Sequence, residues 1–125
     1  MANPNIVNVT SINGLSMGEA LGTSATTQIL ACASNKLLKI NSIIVASVDT
    51  SNAADVTVVF YDSAGTNAPA SWHIAKEVTV PAKSTLVVIG KDSPIYLNEG
   101  DEIRAGASAS GDLEIIISYE ELDDA

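Results

Sequence analysis

The sequence predicts an all-β chain, a two-sheet β-sandwich of jelly-roll type with about 8–10 short strands. Three observations carry the prediction. Apolar residues recur at every second position in most segments, the period of a strand with one buried face. Those segments are short and are separated by clusters of Gly, Pro, Asn, Asp and Ser, and none shows a convincing 3.6-residue period. The large apolar residues are mostly Val, Ile and Leu, with one Trp, one Phe and three Tyr, a composition suited to pleated sheets.

Residues 5–12 place Ile6 and Asn8 on one face against Val7, Val9 and Ser11 on the other, as in an edge or exposed strand, and Asn13-Gly14 is then expected to turn the chain. Residues 17–22, MGEALG, fit a helical turn or a short strand. Residues 26–33 are β-like in their Thr and Ile content, so two short strands are expected across this region.

The run KLLKINSIIVASV, residues 36–48, is apolar on both parities in its second half, as a strand covered on both sides would be. Its length predicts a bulge or bend near Asn41-Ser42. DTSNAA, residues 49–54, closes a hairpin or crosses between sheets, and DVTVVFYD, residues 55–62, is a strand. SAGTNAPA, residues 63–70, is an exposed loop. Trp72, Ile74, Lys76, Val78 and Val80 then alternate with His73, Ala75, Glu77 and Thr79, and Pro81, lacking an amide hydrogen, ends that strand or sits at an edge.

Residues 81–119 organise the fold as four successive strands. Residues 84–90 are apolar on both faces, residues 94–97 are brief, and residues 98–101 form a turn in which Gly100 takes positive φ. Residues 101–107 and 113–119 follow, joined by a Gly-containing turn. Leu113, Ile115, Ile117 and Tyr119 face inward, with Ile116 an apolar exception among outward Glu114, Ser118 and Glu120. The chain reads as one domain, residues 1–125, with residues 1–12 as an N-terminal arm and residues 120–125 as a frayed acidic tail.

Six Lys and Arg stand against fifteen Asp and Glu, a net charge of -9. Such a surface repels phosphate backbones and anionic lipid, so neither nucleic acid nor membrane is an expected partner. The first residues have no basic segment followed by an apolar run, so no secretion signal is expected, and no stretch approaches the ~20 apolar residues of a membrane helix. Cys32 stands alone, which excludes an internal disulfide and reads as a small buried hydrophobe.

Few groups suggest catalysis. His73 is the sole histidine and has no partner nearby in sequence, so it reads as a surface or interface imidazole. The acidic turn at residues 98–102 does not have the twelve-residue calcium-loop spacing and reads as solvated. There is no Gly-rich phosphate loop. Trp72, beside a Pro-containing loop, is either core filler or an interface anchor. Segments apolar on both faces, residues 43–48 and 86–89, predict surface that is covered only on assembly. No catalytic residue, cofactor or metal ligand is assigned.

The phrases KINSIIVASVDTSNAADVTVVFYD, WHIAKEVTVPAKSTLVVIGKDSPIYLNEGDEIRAGAS and GDLEIIISYEEL resemble small virion structural proteins of marine tailed bacteriophages, especially those infecting cyanobacteria. The resemblance spans nearly the whole chain and implies a capsid decoration (cement) protein: a β-sandwich or β-tulip, often a homotrimer, bound to the major capsid protein on the outside of the head and assembled in the host cytoplasm. On that reading the inter-subunit or capsid contacts are expected from Asn5, Ile6, Val7 and Val9 and from Trp72 and His73. The other readings are a tail, neck or fibre-attachment subunit and a carbohydrate-binding β-sandwich, with an enzyme the most remote.

Overall fold

The computed structural model describes residues 9–123, and within them nine strands form two antiparallel sheets with no helix. The strands are β1 (Ser11–Ala20), β2 (Gln28–Ala31), β3 (Lys36–Ser47), β4 (Ala54–Asp62), β5 (Ala70–Val80), β6 (Thr85–Ile89), β7 (Ile95–Leu97), β8 (Glu102–Ala107) and β9 (Leu113–Asp123). One sheet runs β1-β9-β3-β6 with β7 also on β3, and the other runs β2-β8-β4-β5.

This order is that of a long hairpin rolled on itself. Its arms pair β1 with β9, β2 with β8, β3 with β6 and β7, and β4 with β5; rolling then sets β9 beside β3 and β8 beside β4. The result is the double Greek key of a jelly roll. Eight ladder positions are filled by nine strands because one position is split. β6 pairs with Ile43–Ala46 of β3 and β7 with Leu38–Ile40, and the turn at residues 90–94 loops out between them.

The split sits where β3 bulges. Its register with β9 shifts between Ile40 and Ser42, so Asn41 is the extra residue that the sequence predicted. The bulge changes which parity faces inward: Leu38 and Ile40 before it, Ile43 and Val45 after it, all 2 % exposed or less. A strand too long for one flat ladder thereby keeps its apolar side on the core throughout.

The core lies between the sheets. Ile40, Ile43, Val45, Leu113, Ile115 and Ile117 meet Val56, Val58, Ile103 and Ala105, each fully enclosed. Burying each such side chain contributes roughly 1.5–3 kcal/mol, so most of the stability resides in this layer. Gly106 allows one close approach: a Cβ there would stand 2.6 Å from the Ser24 carbonyl carbon, and the Ala107 N–H donates to the Gly22 carbonyl at 2.8 Å in the same passage. Gly100 takes φ +83° in the turn expected to need it, and Gly111 takes φ +80° in the Gly-containing turn that follows.

Three local readings are corrected. Asn13-Gly14 does not turn, and residues 17–22 form neither a helical turn nor a separate strand. Asn13-Gly14 and residues 17–20 lie in the unbroken β1, so the strand expected at 17–22 is part of a longer one that ends at Ala20, held by a ladder from Ser11↔Asp123 to Ala20↔Glu114 whose pairing outweighs the turn preference of Asn-Gly. Of the tail expected to fray, residues 120–125, residues 120–123 are ordered strand, and residues 124–125 lie outside the described residues. β9 continues to Asp123 between β1 and β3, Leu122 is buried, and Lys36 Nζ bridges Glu121 at 3.2 Å and Asp123 at 2.9 Å. Acidic composition suggested solvation, but two neighbouring strands order this stretch.

Candidate interaction site

β5 is the edge of one sheet and β7 lies on the outer flank of the other, and where they come together Trp72, His73, Ile74, Phe60, Ile95 and Tyr96 line an apolar groove of about 200 Å³. Strand pairing sets each member. Trp72 lies opposite Phe60 and His73 opposite Val59 across the β4–β5 ladder, while Ile95 and Tyr96 are placed by pairing with Ile40 and Lys39. Ile95 and Phe60 are half-buried and join the main core. Trp72 is 50 % exposed and Tyr96 43 %, so the two large rings form the rim.

The core-filler reading of Trp72 is therefore set aside by its exposure. An edge strand cannot enclose a side chain of that size when the opposing sheet contributes only a three-residue strand. Sequence reasoning missed Tyr96 and Ile95, which are separated from Trp72 by more than twenty residues and reach it only through the rolled topology. Val9 is half-buried just ahead of β1, away from this groove in the strand order; Asn5, Ile6 and Val7 lie outside the described residues.

A second apolar feature crosses the outer face of the first sheet. Gly18, Ile116, Ile44 and Val87 are register partners on β1, β9, β3 and β6, and together they make one row. Ile116 is 43 % exposed and Val87 61 %, and Val48, just after β3, is 52 % exposed. The two-sided segments of the sequence thus keep apolar side chains outside. Below that row Ser16, Ser118 and Ser42 succeed one another, with Ser16 Oγ and Ser118 Oγ 3.1 Å apart.

The carboxylates of the acidic turn, Arg104 and Cys32 are engaged in structure. Asp101 is 2 % exposed and accepts from the Ser63 and Asn98 amides, each at 3.0 Å, and from the Ser63 hydroxyl at 3.2 Å. Glu99 accepts the Asn35 amide. Glu102 accepts from Arg104 Nε at 2.8 Å, and the Arg104 guanidinium stacks on the Tyr61 ring, 3.8 Å from its centroid. The acidic turn at residues 98–102 therefore spends its carboxylates on amides and on the one arginine. Cys32 is buried, its Sγ donates to the Lys36 carbonyl at 3.1 Å, and burial pushes its thiol up to about 11. A thiol so held is a poor nucleophile.

Among the described residues no group of three or more His, Cys, Asp and Glu side chains converges to hold a metal, and no helix is long and apolar enough to cross a membrane. What the groove can do chemically is bind an apolar or aromatic group by exclusion of water.

No protein-family model matches the chain, and no curated protein matches it. Among solved structures, it is similar to a chain of the "Acidic stable capsid structure of Helicobacter pylori bacteriophage KHP30", at 10 % identity and TM-score 0.50, over 94 % of this chain and 91 % of that one. At that identity the likeness is one of fold, and it extends over nearly the full length of both chains.

Proposed function

We propose that this chain is a non-enzymatic structural subunit of a bacteriophage particle, carried on the outside of the head as a decoration (cement) protein that binds the major capsid protein. The observation that carries the reading is the half-exposed Trp72–Tyr96 rim over an apolar groove. Aromatic anchors of this kind, set in an apolar pocket and ringed by polar surface, are what protein interfaces use. The fold shared with a chain of a phage capsid structure supports the same reading.

The finer expectations follow from the sequence resemblance: a marine tailed phage as source, assembly in the host cytoplasm, and a homotrimer as the unit that docks. Repetition over a shell multiplies modest contacts into tight attachment, so a groove of this size suffices for each copy.

The test is localisation in the particle whose genome encodes the chain, by electron cryomicroscopy at a resolution that traces strands. Density for the jelly roll on the outer face of the head, with Trp72 and Tyr96 against the major capsid protein or a neighbouring copy, is the expected result. Density at the neck or tail selects the tail-subunit alternative, and absence from the purified particle overturns the proposal.

A further inference from the structure

β1 is a ten-residue edge strand: among the described residues its only ladder is with β9, on one side, and nine of its ten residues are exposed. Natural sheets usually protect such an edge with Lys, Pro, a bulge or shortness. SINGLSMGEA has none of these. Its register with β9 runs without a shift, and its sole charge is Glu19.

The backbone parity is set at its end. Leu21 donates its N–H to Leu113 and accepts from Gly111, both at 2.9 Å, so Leu21 faces β9. Alternation then turns the N–H and C=O groups of Ala20, Gly18, Ser16, Gly14 and Ile12 toward the open edge. Four of these five residues are Gly, Ser or Ala, and their side chains lie on the outer face, because Met17 of the other parity packs on the core. An approaching strand meets bare backbone.

We infer that this edge is a site for a second copy of the same chain, with β1 pairing antiparallel to the partner's β1 about a twofold axis at Ser16. The occupant follows from self-complementarity. In the register centred on Ser16, Gly14 lies opposite Gly18, Ile12 opposite Ala20, and Leu15, 41 % exposed, opposite Met17. Glu19 falls opposite Asn13, so no carboxylate meets another at the seam. In a chain of net charge -9, a seam with one charge per strand keeps the repulsion between two copies low. About ten ladder hydrogen bonds form, and the two larger sheets become one. The contact is isologous and closes at two copies. It leaves the Trp72 groove, on the opposite flank of the sandwich, free for a different contact. The inference stands on the edge geometry and does not depend on the virion reading.

Directed cross-linking tests it. At a hydrogen-bonded antiparallel pair the Cα atoms are about 5.5 Å apart, within disulfide reach. Ser16→Cys faces its own symmetry mate, whereas Ala20→Cys faces Ile12 and has no thiol in reach. Under mild oxidation the Ser16→Cys protein is expected to form a covalent dimer in near-quantitative yield, and the Ala20→Cys protein little or none, with the reduced forms of both melting like the parent. Cys32 is buried and common to both. A dimer yield for Ser16→Cys no greater than for Ala20→Cys overturns the inference. As a second measurement, Ser16→Pro removes an N–H that has no partner among the described residues; it is expected to lower the sedimentation mass to that of the species lacking this contact, and an unchanged mass also counts against it.

Discussion

The carboxylate of Asp101, at the end of the turn before β8, accepts the backbone N–H of Ser63 from the loop after β4 at 3.0 Å. Its second oxygen accepts the Asn98 amide at 3.0 Å, and the Gly100 N–H donates to the Cys32 carbonyl at 3.0 Å beside it. One buried side chain therefore ties the tip of the β4–β5 hairpin to the β7–β8 turn and, through the adjoining backbone, to the exit of β2.

Asp101→Ala leaves the Ser63 and Asn98 amides without their acceptor in a buried site, while the Ser63 hydroxyl keeps the Glu99 carbonyl at 3.3 Å. It is expected to cost about 2–3 kcal/mol, read as a lower midpoint in urea with an unchanged slope. A midpoint within error of the parent would show that water or another acceptor replaces the carboxylate.

Gly106→Ala puts a methyl group against the backbone of Ser24 and Ala25, which is less able to give way than a side-chain tip. The expected loss is about 1–3 kcal/mol, seen as a drop in melting temperature. Gly14→Ala, with open space at its Cβ, serves as the neutral control.

Trp72 is the sole tryptophan, so its fluorescence reports on the groove alone. In the dispersed chain acrylamide should quench it readily, as expected of a half-exposed indole, and the quenching should fall in the assembled particle. Trp72→Ala is expected to cost under about 1.5 kcal/mol of stability yet to reduce particle attachment at least tenfold, the range of an interface anchor. Equal attachment of the variant would remove Trp72 from the contact.

Cys32 should resist thiol reagents in the folded protein. With the thiol raised to about 11, chiefly by burial, the thiolate fraction at pH 8 is very small, and labelling should become fast only in denaturant. Fast labelling of native protein would mean that the β2–β3 connection opens.

Two carboxylates near the same turns respond to pH with opposite sign. Asp49 is lowered by the Ser51 and Asn52 amides that it accepts, so its contribution is present above its unfolded value and is lost as pH falls through the folded one. Asp112 is raised, first by partial loss of water and then by the charge of Asp49, so its contribution is present below its unfolded value and is lost as pH rises through the folded one. Asp112→Asn removes the second effect. It is expected to raise the melting temperature at pH 7 relative to the parent, with the difference shrinking as pH falls below about 3.9 and vanishing near about pH 2.5, where Asp112 is protonated in the folded and unfolded chain alike.

Some of this architecture was legible residue by residue. The alternation of Leu113, Ile115 and Ile117 named their buried face, Pro81 marked the end of β5, Gly100 and Gly111 marked their turns, and the excess length of residues 36–48 located a bulge at Asn41. Each depends on neighbours in sequence, because side-chain parity, a missing amide hydrogen and access to positive φ are local properties of the chain.

Other features were not legible, since each depends on what lies across the sheet or the sandwich. Asn13-Gly14 reads as a turn until β9 holds it straight, and the acidic end reads as frayed until β1 and β3 pair on both sides of it. Asp101 reads as one more surface carboxylate until the β4–β5 loop closes over it. The groove needs Trp72 and Tyr96 together, and only the rolling of the long hairpin brings their strands to one flank. By itself, then, the sequence determined the strands, their buried faces and the sandwich class, because these follow from a period of two. The tertiary structure decided which edges stay open and which aromatic rings meet, because those depend on contacts between residues far apart in the chain.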